Sequence, residues 1–274
     1  MILNAVTVFI IHNSQRVKLY MCILFIAVDQ SQEFPLVIAA NRDEFHARPT
    51  AVSGFWNNHP HVLAGHDLQA HGTWMGVTRN GKVAALTNIR APETIKTDAI
   101  SRGGLVADWL IDEAMKQPTY LNVLRANRHK YNGYNLVYGD VKSLAVYNNF
   151  EDTHATLTQG VYGLSNANLT TPWPKVTKGI ASLTDYVSQN NQLDTEALFA
   201  ILKDEDKASD HTLPNTGIGY EWEKRLSSIF IQSPEYGTRT STLLLVNSHQ
   251  QIHWYERTFN TRGDVVGNQH FIIG

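Results

Sequence analysis

Long apolar runs open and close this chain, and helical spacing occupies its middle. Residues 22–28 (Cys-Ile-Leu-Phe-Ile-Ala-Val) and 35–40 (Pro-Leu-Val-Ile-Ala-Ala) are unbroken apolar runs separated by a short polar turn at 29–33, which predicts a hairpin. Runs at 74–78 and 82–87 flank Asn80-Gly81, a dipeptide suited to a tight turn between paired strands. Further strands are predicted at 134–138, 143–147, 227–231, 241–246, 250–256 and 269–273. Leu105, Val106, Trp109 and Leu110 recur at helical spacing. Thr171 and Pro172 read as N-cap and first helical position ahead of an apolar face made by Val176, Ile180, Leu183 and Val187. Asp194 reads as the cap of another helix that buries Leu198, Ile201 and Leu202. Strands, then helices, then strands again predict an α+β fold of two antiparallel sheets with helices outside. No repeat, low-complexity tract or linker divides 21–274, so a single domain is expected there.

Composition narrows the function classes. The chain has 274 residues, 43% of them apolar, with 23 basic against 25 acidic side chains and a net charge of −2. With no basic stripe to neutralise phosphates, nucleic acid is not expected as the main partner. A single cysteine excludes an intramolecular disulfide and points to a reducing, cytoplasmic setting. Residues 1–20 begin with an apolar stretch but lack a basic n-region and a small-x-small cleavage site, and the stretch is too short to span a bilayer. They are expected to be a non-native leader, a mis-assigned start or a propeptide, and no membrane span is expected.

The single cysteine, Cys22, stands directly behind Met21. If the chain begins at Met21, removal of that methionine leaves Cys22 with a free α-amine of pKa ~7.7–8.0 beside its thiol. The amine can take the thiol proton, and the thiolate is the attacking species. The competing reading is a small buried hydrophobe, and with preceding residues attached the nitrogen is an amide that cannot act as base. Asn41-Arg42-Asp43-Glu44 closes the second apolar run; neighbours on a strand point to opposite faces, so Arg42 and Asp43 cannot both face the same group. Asn88 ends a strand and Asn166 lies in a loop, and either amide could hold a tetrahedral oxyanion, against the ordinary use of Asn in turns. Arg90 and Arg239 are candidate binders of a substrate carboxylate, with surface solvation the ordinary reading of Arg239. His59, His61, His66 and His71 lack the helical spacing of a zinc site, and Pro60 and Gly65 predict a loop there, so no metal is expected. Gly217-Ile218-Gly219 lacks the third glycine of a dinucleotide fingerprint.

Ordered blocks run from residue 21 to about 260. They are Met21-Cys22-Ile23-Leu24-Phe25, Ala40-Asn41-Arg42-Asp43-Glu44-Phe45, Gly72-Thr73-Trp74-Met75-Gly76-Val77 and Ala84-Ala85-Leu86-Thr87-Asn88-Ile89-Arg90. Ser101-Arg102-Gly103, Tyr131-Asn132-Gly133-Tyr134-Asn135-Leu136, Gly163-Leu164-Ser165-Asn166 and Pro172-Trp173-Pro174-Lys175 follow, then Leu226-Ser227-Ser228-Ile229-Phe230 and Glu256-Arg257-Thr258-Phe259. Together they resemble the NRDE family, also called the transport-and-Golgi-organisation protein 2 family, which is grouped with N-terminal-nucleophile (Ntn) hydrolases near bile-salt hydrolases and penicillin V acylases. The resemblance implies a four-layer αββα sandwich. It implies Cys22 as nucleophile, Arg42 lowering the thiol pKa, Asp43 orienting the α-amine, and Asn88 or Asn166 at the oxyanion; the Arg–Asp spacing is tighter here than in those enzymes. The implied activity is hydrolysis of a non-peptide C–N amide in a small molecule, with no cofactor. The alternative is a non-catalytic binding or trafficking protein for haem or another hydrophobic ligand, with a histidine or Cys22 as axial ligand and no C-x-x-C-H attachment signal.

Overall fold

Alternation in two antiparallel sheets accounts for the apolar runs. The computed structural model describes residues 21–190 and 192–274, so the leader expected at 1–20 lies outside the described residues. In chain order the strands are β1 (Met21–Val28), β2 (Leu36–Phe45), β3 (Thr50–Trp56), β4 (His59–Asp67), β5 (Met75–Thr78), β6 (Lys82–Asn88) and β7 (Tyr134–Asp140). They continue as β8 (Ser143–Asn148), β9 (Thr153–Thr156), β10 (Gly160–Leu164), β11 (Tyr236–Val246), β12 (Ile252–Phe259) and β13 (Val265–Ile273). The helices are α1 (Gly103–Ile111), α2 (Gln117–Asn127), α3 (Pro174–Gln189), α4 (Thr195–Leu202) and α5 (Tyr220–Arg225). One sheet has the order β10-β1-β2-β11-β12-β13 and the other β3-β4-β5-β6-β7-β8-β9.

Leu24 and Ile26 of β1, Ile38 and Ala40 of β2, and Leu244 and Trp254 face Leu63, Met75, Val77, Val83 and Val137 of the second sheet. The alternate residues Ile23, Phe25, Val37, Ala39 and Leu243 pack outward on Val176, Leu183 and Val187 of α3 and on Leu198, Phe199 and Leu202 of α4. On the other sheet, Val62, Ala64, Ala84 and Leu136 pack against Leu105, Val106, Trp109 and Leu110 of α1. The result is the expected four-layer αββα sandwich. Strands β1 and β2 are continuous apolar runs because both of their faces are covered.

Several local expectations hold. The 22–28 and 35–40 runs pair as a hairpin from Cys22↔Arg42 to Val28↔Leu36. Gly81, at φ +85°, turns between β5 and β6, and Asp194 caps α4 by accepting the Glu196 N–H at 2.8 Å.

Others need correction. Residues 227–231 are buried but not a strand: the Phe230 N–H donates to the Asp204 carbonyl, and the Ile231 N–H to the Thr238 hydroxyl. Helix α3 starts at Pro174 with Trp173 as its extended N-cap, not at Thr171 and Pro172. Of the histidine segment read as a loop, His59, His61 and His66 lie in strand β4 and His71 lies beyond its end; Pro60 is the second residue of the strand, where the ladder to β5 has not yet begun. Helices α2 and α5 and strands β3, β9 and β10 were not foreseen. Among the described residues no helix is long and apolar enough to cross a membrane.

Candidate active site

The β1–β2 hairpin places Cys22 opposite Arg42 and Met21 opposite Asp43. By alternation, Cys22 continues the Leu24–Ile26 face between the sheets, and Arg42 and Glu44 share that face. Met21 and Asp43 lie on the helix-covered face, together with Asn41, whose amide donates to the Leu202 and Ile229 carbonyls at 2.8 and 3.0 Å. On the far side of β2 the pairing to β11 shifts between Thr238 and Thr240, bulging Arg239 out of register.

Cys22 opens on a cavity of about 830 Å³ whose lining includes Arg42, Glu44, Asn88, Arg90, Thr240 and the 91–102 segment. Along its wall Glu44 lies 3.6 Å from both Arg42 and Arg48, and Arg48 pairs with Asp67 at 2.7 Å. Arg42 Nη1, Asn88 Oδ1 and Thr240 Oγ1 are buried with no hydrogen-bond partner.

The candidates chosen from sequence therefore separate. Cys22, Arg42, Asn88 and Arg90 meet at the cavity. Asp43 reaches its rim from the other face, and its Oδ1 accepts the Thr238 hydroxyl at 2.6 Å. Asn166 is spent elsewhere: its amide donates to the Asn88 carbonyl at 2.9 Å, its carbonyl accepts the Arg90 N–H at 2.8 Å, and its Oδ1 takes the Ser165 hydroxyl at 2.9 Å. It fastens the end of β6 to the loop after β10 and leaves Asn88 as the one of the two asparagines that lines the cavity. Arg90 pairs with Glu223 at 2.5 Å and lies 4.5 Å over the Trp173 ring. Arg239 does not line the cavity; it donates to the Phe45 and Arg48 carbonyls at 3.0 and 3.1 Å and holds the turn after β2. Of the four histidines only His66 reaches the large cavity, while His59, His66 and His71 border a second depression of about 490 Å³ with Trp56. No group of three His, Cys, Asp or Glu among the described residues is placed to hold a metal ion.

Electrostatics at the strand ends depend on burial. The Cys22 thiol is pushed up to about 12, first by burial and then by the Asp43 charge; Arg42 and the Asp43 backbone N–H pull it down less strongly. With Met21 still attached, the sulfur is a protonated thiol and a poor nucleophile. Burial raises the Asp43 carboxyl to about 7 against the opposing pull of Lys175. Lys175, the second residue of α3, is buried, has no hydrogen-bond partner for Nζ, and is drawn down by that burial to about 8 against the opposing Asp43 charge. Sequence reasoning assigned it no role. The signal was present: Lys175, Gly179, Leu183 and Val187 form one buried stripe of α3 at i, i+4 spacing, and lysine is out of place on it.

These features define a four-layer α+β sandwich with one thiol at the head of an inner strand, facing an arginine across a hairpin and opening on an inter-sheet cavity. The chain belongs to the Transport and Golgi organisation 2 family, whose model matches residues 21–261. It is 35% identical over 258 residues to the Transport and Golgi organization protein 2 homolog of Bos taurus, covering 87% of this chain and 93% of that protein. The Drosophila melanogaster Transport and Golgi organization protein 2 is 30% identical over 261 residues, covering 87% and 92% of the two chains. Among solved structures, a mutant conjugated bile acid hydrolase from Clostridium perfringens matches with a TM-score of 0.47 at 10% identity over 93% of this chain and 97% of that one. A Caenorhabditis elegans ortholog of N-acylethanolamine-hydrolyzing acid amidase matches with a TM-score of 0.44 at 10% identity, over 82% and 92%.

Proposed function

We propose that this chain is a cysteine amidohydrolase of the Ntn type, competent once Cys22 carries a free α-amine, and acting in the cytoplasm on a non-peptide C–N amide of a small molecule. The observation that carries the reading is the set of unspent polar groups around the thiol: Arg42 Nη1, Asn88 Oδ1 and Thr240 Oγ1, all buried and unpartnered at one cavity. A buried polar group left unsatisfied costs ~1–3 kcal/mol, and the polar atoms of a bound amide would satisfy these.

In the proposed reaction the α-amine takes the Sγ proton and Cys22 Sγ bonds to the carbonyl carbon. The oxyanion is held by the Asn88 side-chain N–H, a kind of donor worth roughly 10²–10³ in rate, while Asn88 Oδ1 is left to accept from the substrate N–H. The C–N bond breaks as the departing amine takes the proton from the α-ammonium. Water then attacks the thioester, releasing the acid and regenerating the thiol. An α-amine of pKa ~7.7–8.0 suits a base working near neutrality.

A carrier without turnover is the second reading, and the thiol pushed up to about 12 in the chain with Met21 attached favours it. For haem, the cavity offers Cys22 and His66 as ligating residues, but burial works against the thiolate a sulfur ligand requires.

The two readings separate on a panel of fluorogenic N-acyl amides of graded chain length. Turnover is expected from a chain beginning at Cys22 and not from the full chain or from Cys22→Ala. If the Cys22-initiated chain is inactive across the panel, or Cys22→Ala retains its rate, the enzyme reading is wrong. Retention of a hydrophobic ligand by both the full chain and Cys22→Ala would then support the carrier.

A further inference from the structure

The corner behind Cys22 contains two buried titratable groups with hydrogen-bonding capacity left over, although Asp43 spends its Oδ1 on the Thr238 hydroxyl. Asp43 Oδ2 and Lys175 Nζ are both buried, neither has a hydrogen-bond partner, and they form no ion pair with each other. Both lie on the outer face of the β1–β2 hairpin: Asp43 as the cross-strand partner of Met21, Lys175 on the buried stripe of α3 one turn before Gly179. The helix is seated so closely on β1 that a Cβ at Gly179 would fall 2.0 Å from the Phe25 ring.

Met21 fills this corner. It is 1% exposed, packs with Leu226, Ile231 and Tyr236, and sets its sulfur 3.5 Å from Arg90 Nη2. A thioether satisfies neither the carboxylate nor the ammonium. Loss of Met21 would vacate the corner and make the Cys22 nitrogen the end of the chain there.

We propose that Lys175 is a positioning residue which, with Asp43, forms a socket for the Cys22 α-amine and keeps that amine unprotonated. The proposal rests on the Ntn reading above. Asp43 Oδ2 accepts a hydrogen bond from the amine and fixes its direction. The Lys175 ammonium, of the same sign as an α-ammonium, disfavours protonation of the amine and favours the thiolate. Other charges near the corner are largely offset: Arg90 is paired with Glu223, and on the cavity face Arg42 lies beside Glu44. The Tyr236 hydroxyl is buried there without a partner and is held neutral by burial. Lys175, whose charge is offset only in part by Asp43, therefore supplies the positive field at the amine, while Asp43 supplies the acceptor.

The test reads Cys22 rather than turnover. The rate of iodoacetamide alkylation is followed against pH in a chain translated from Met21, which keeps every described element, with intact mass confirming that it begins at Cys22. In Lys175→Met the midpoint of the profile is expected to move up by about one pH unit, a roughly tenfold slower reaction at pH 7. Lys175→Gln should move it the same way, Asp43→Asn alone should move it down because the Asp43 charge raises the thiol, and the double variants should depart from the algebraic sum of the single shifts. A folded Lys175→Met chain with an unmoved midpoint overturns the proposal. So does an equal shift in the full chain, where the Cys22 nitrogen is an amide, and so does failure of both lysine variants to fold, which would make Lys175 structural. An absence of amide turnover alongside the expected shift would remove the Ntn reading and leave the socket standing.

Discussion

Gly179→Ala tests the contact that holds α3, and with it Lys175, over the Cys22 strand. The new Cβ would lie 2.0, 2.2 and 2.7 Å from Phe25 Cζ, Cε1 and Cε2, where carbon atoms normally rest ~3.5–4.0 Å apart. Either the ring or the helix must yield by about 1.5 Å. The ring has little room: Phe25 is 0% exposed and sits among Ile23, Ala27, Val176 and Leu183. Alanine in a helix interior gains ~1 kcal/mol over glycine, so propensity alone predicts a more stable protein. Overpacking costs typically ~1–3 kcal/mol and more in a rigid site, and the depth of this clash places it at or above the top of that range. A net loss of about 2 kcal/mol is expected, read as a lower urea midpoint at unchanged m. Phe25→Leu alone should also destabilise, by leaving a cavity. In the double variant the two changes should relieve each other by at least ~1 kcal/mol relative to their sum. A Gly179→Ala protein as stable as the parent, or strictly additive effects, would refute the close seating of α3 on β1.

Further predictions concern charge. Burial holds the Asp43 carboxyl at about 7, above its ordinary 3.8; the folded state then retains a proton that the unfolded chain releases, so stability is lost as pH rises from about 4 to 7. Asp43→Asn should flatten that window in urea titrations at pH 5 and 7.5, and parallel curves for parent and variant would contradict the assignment. Glu223→Gln removes the partner of a buried arginine and should cost ~3–5 kcal/mol by thermal melt, with Arg90→Met in the same chain recovering much of it; no recovery would mean the cost lies in the Thr216 contacts of Glu223. In the full chain, Cys22 should react with iodoacetamide at pH 8 at least about tenfold more slowly than free cysteine, whose pKa is ~8.5. Equal rates would show that the thiol is not held protonated.

What could be read from the sequence was what local chemistry decides. The hairpin of β1 and β2 follows from two apolar runs and a polar turn, and the Asp194 cap follows from one side chain and a nearby N–H. Where two readings were locally equal, tertiary packing chose between them. Thr171-Pro172 and Trp173-Pro174 both offer a proline at a helix start, and α3 takes the second. Residues 227–231 are as apolar as a strand, yet their backbone groups bond Asn41, Asp204 and Thr238 instead of a ladder.

The site divides along the same line. Cys22 and Arg42 could be brought together from sequence because both sit on one hairpin, and period-two alternation puts Arg42, not Asp43, on the thiol's face. Asn88 and Asn166 were indistinguishable in sequence because an amide at a strand end or in a loop can serve either backbone or substrate; only the fold shows Asn166 holding the Asn88 carbonyl. Lys175 lay hidden for a different reason. Its stripe on α3 is readable at i, i+4 spacing, but its neighbours come from β2 and from the loop after β6, at sequence distances no local pattern spans. A lysine buried without an acceptor costs stability that a methionine there would not. That cost is rational if its charge acts on a group the chain exposes only after Met21 is gone, which is why the lysine and the processing of Met21 belong to one hypothesis.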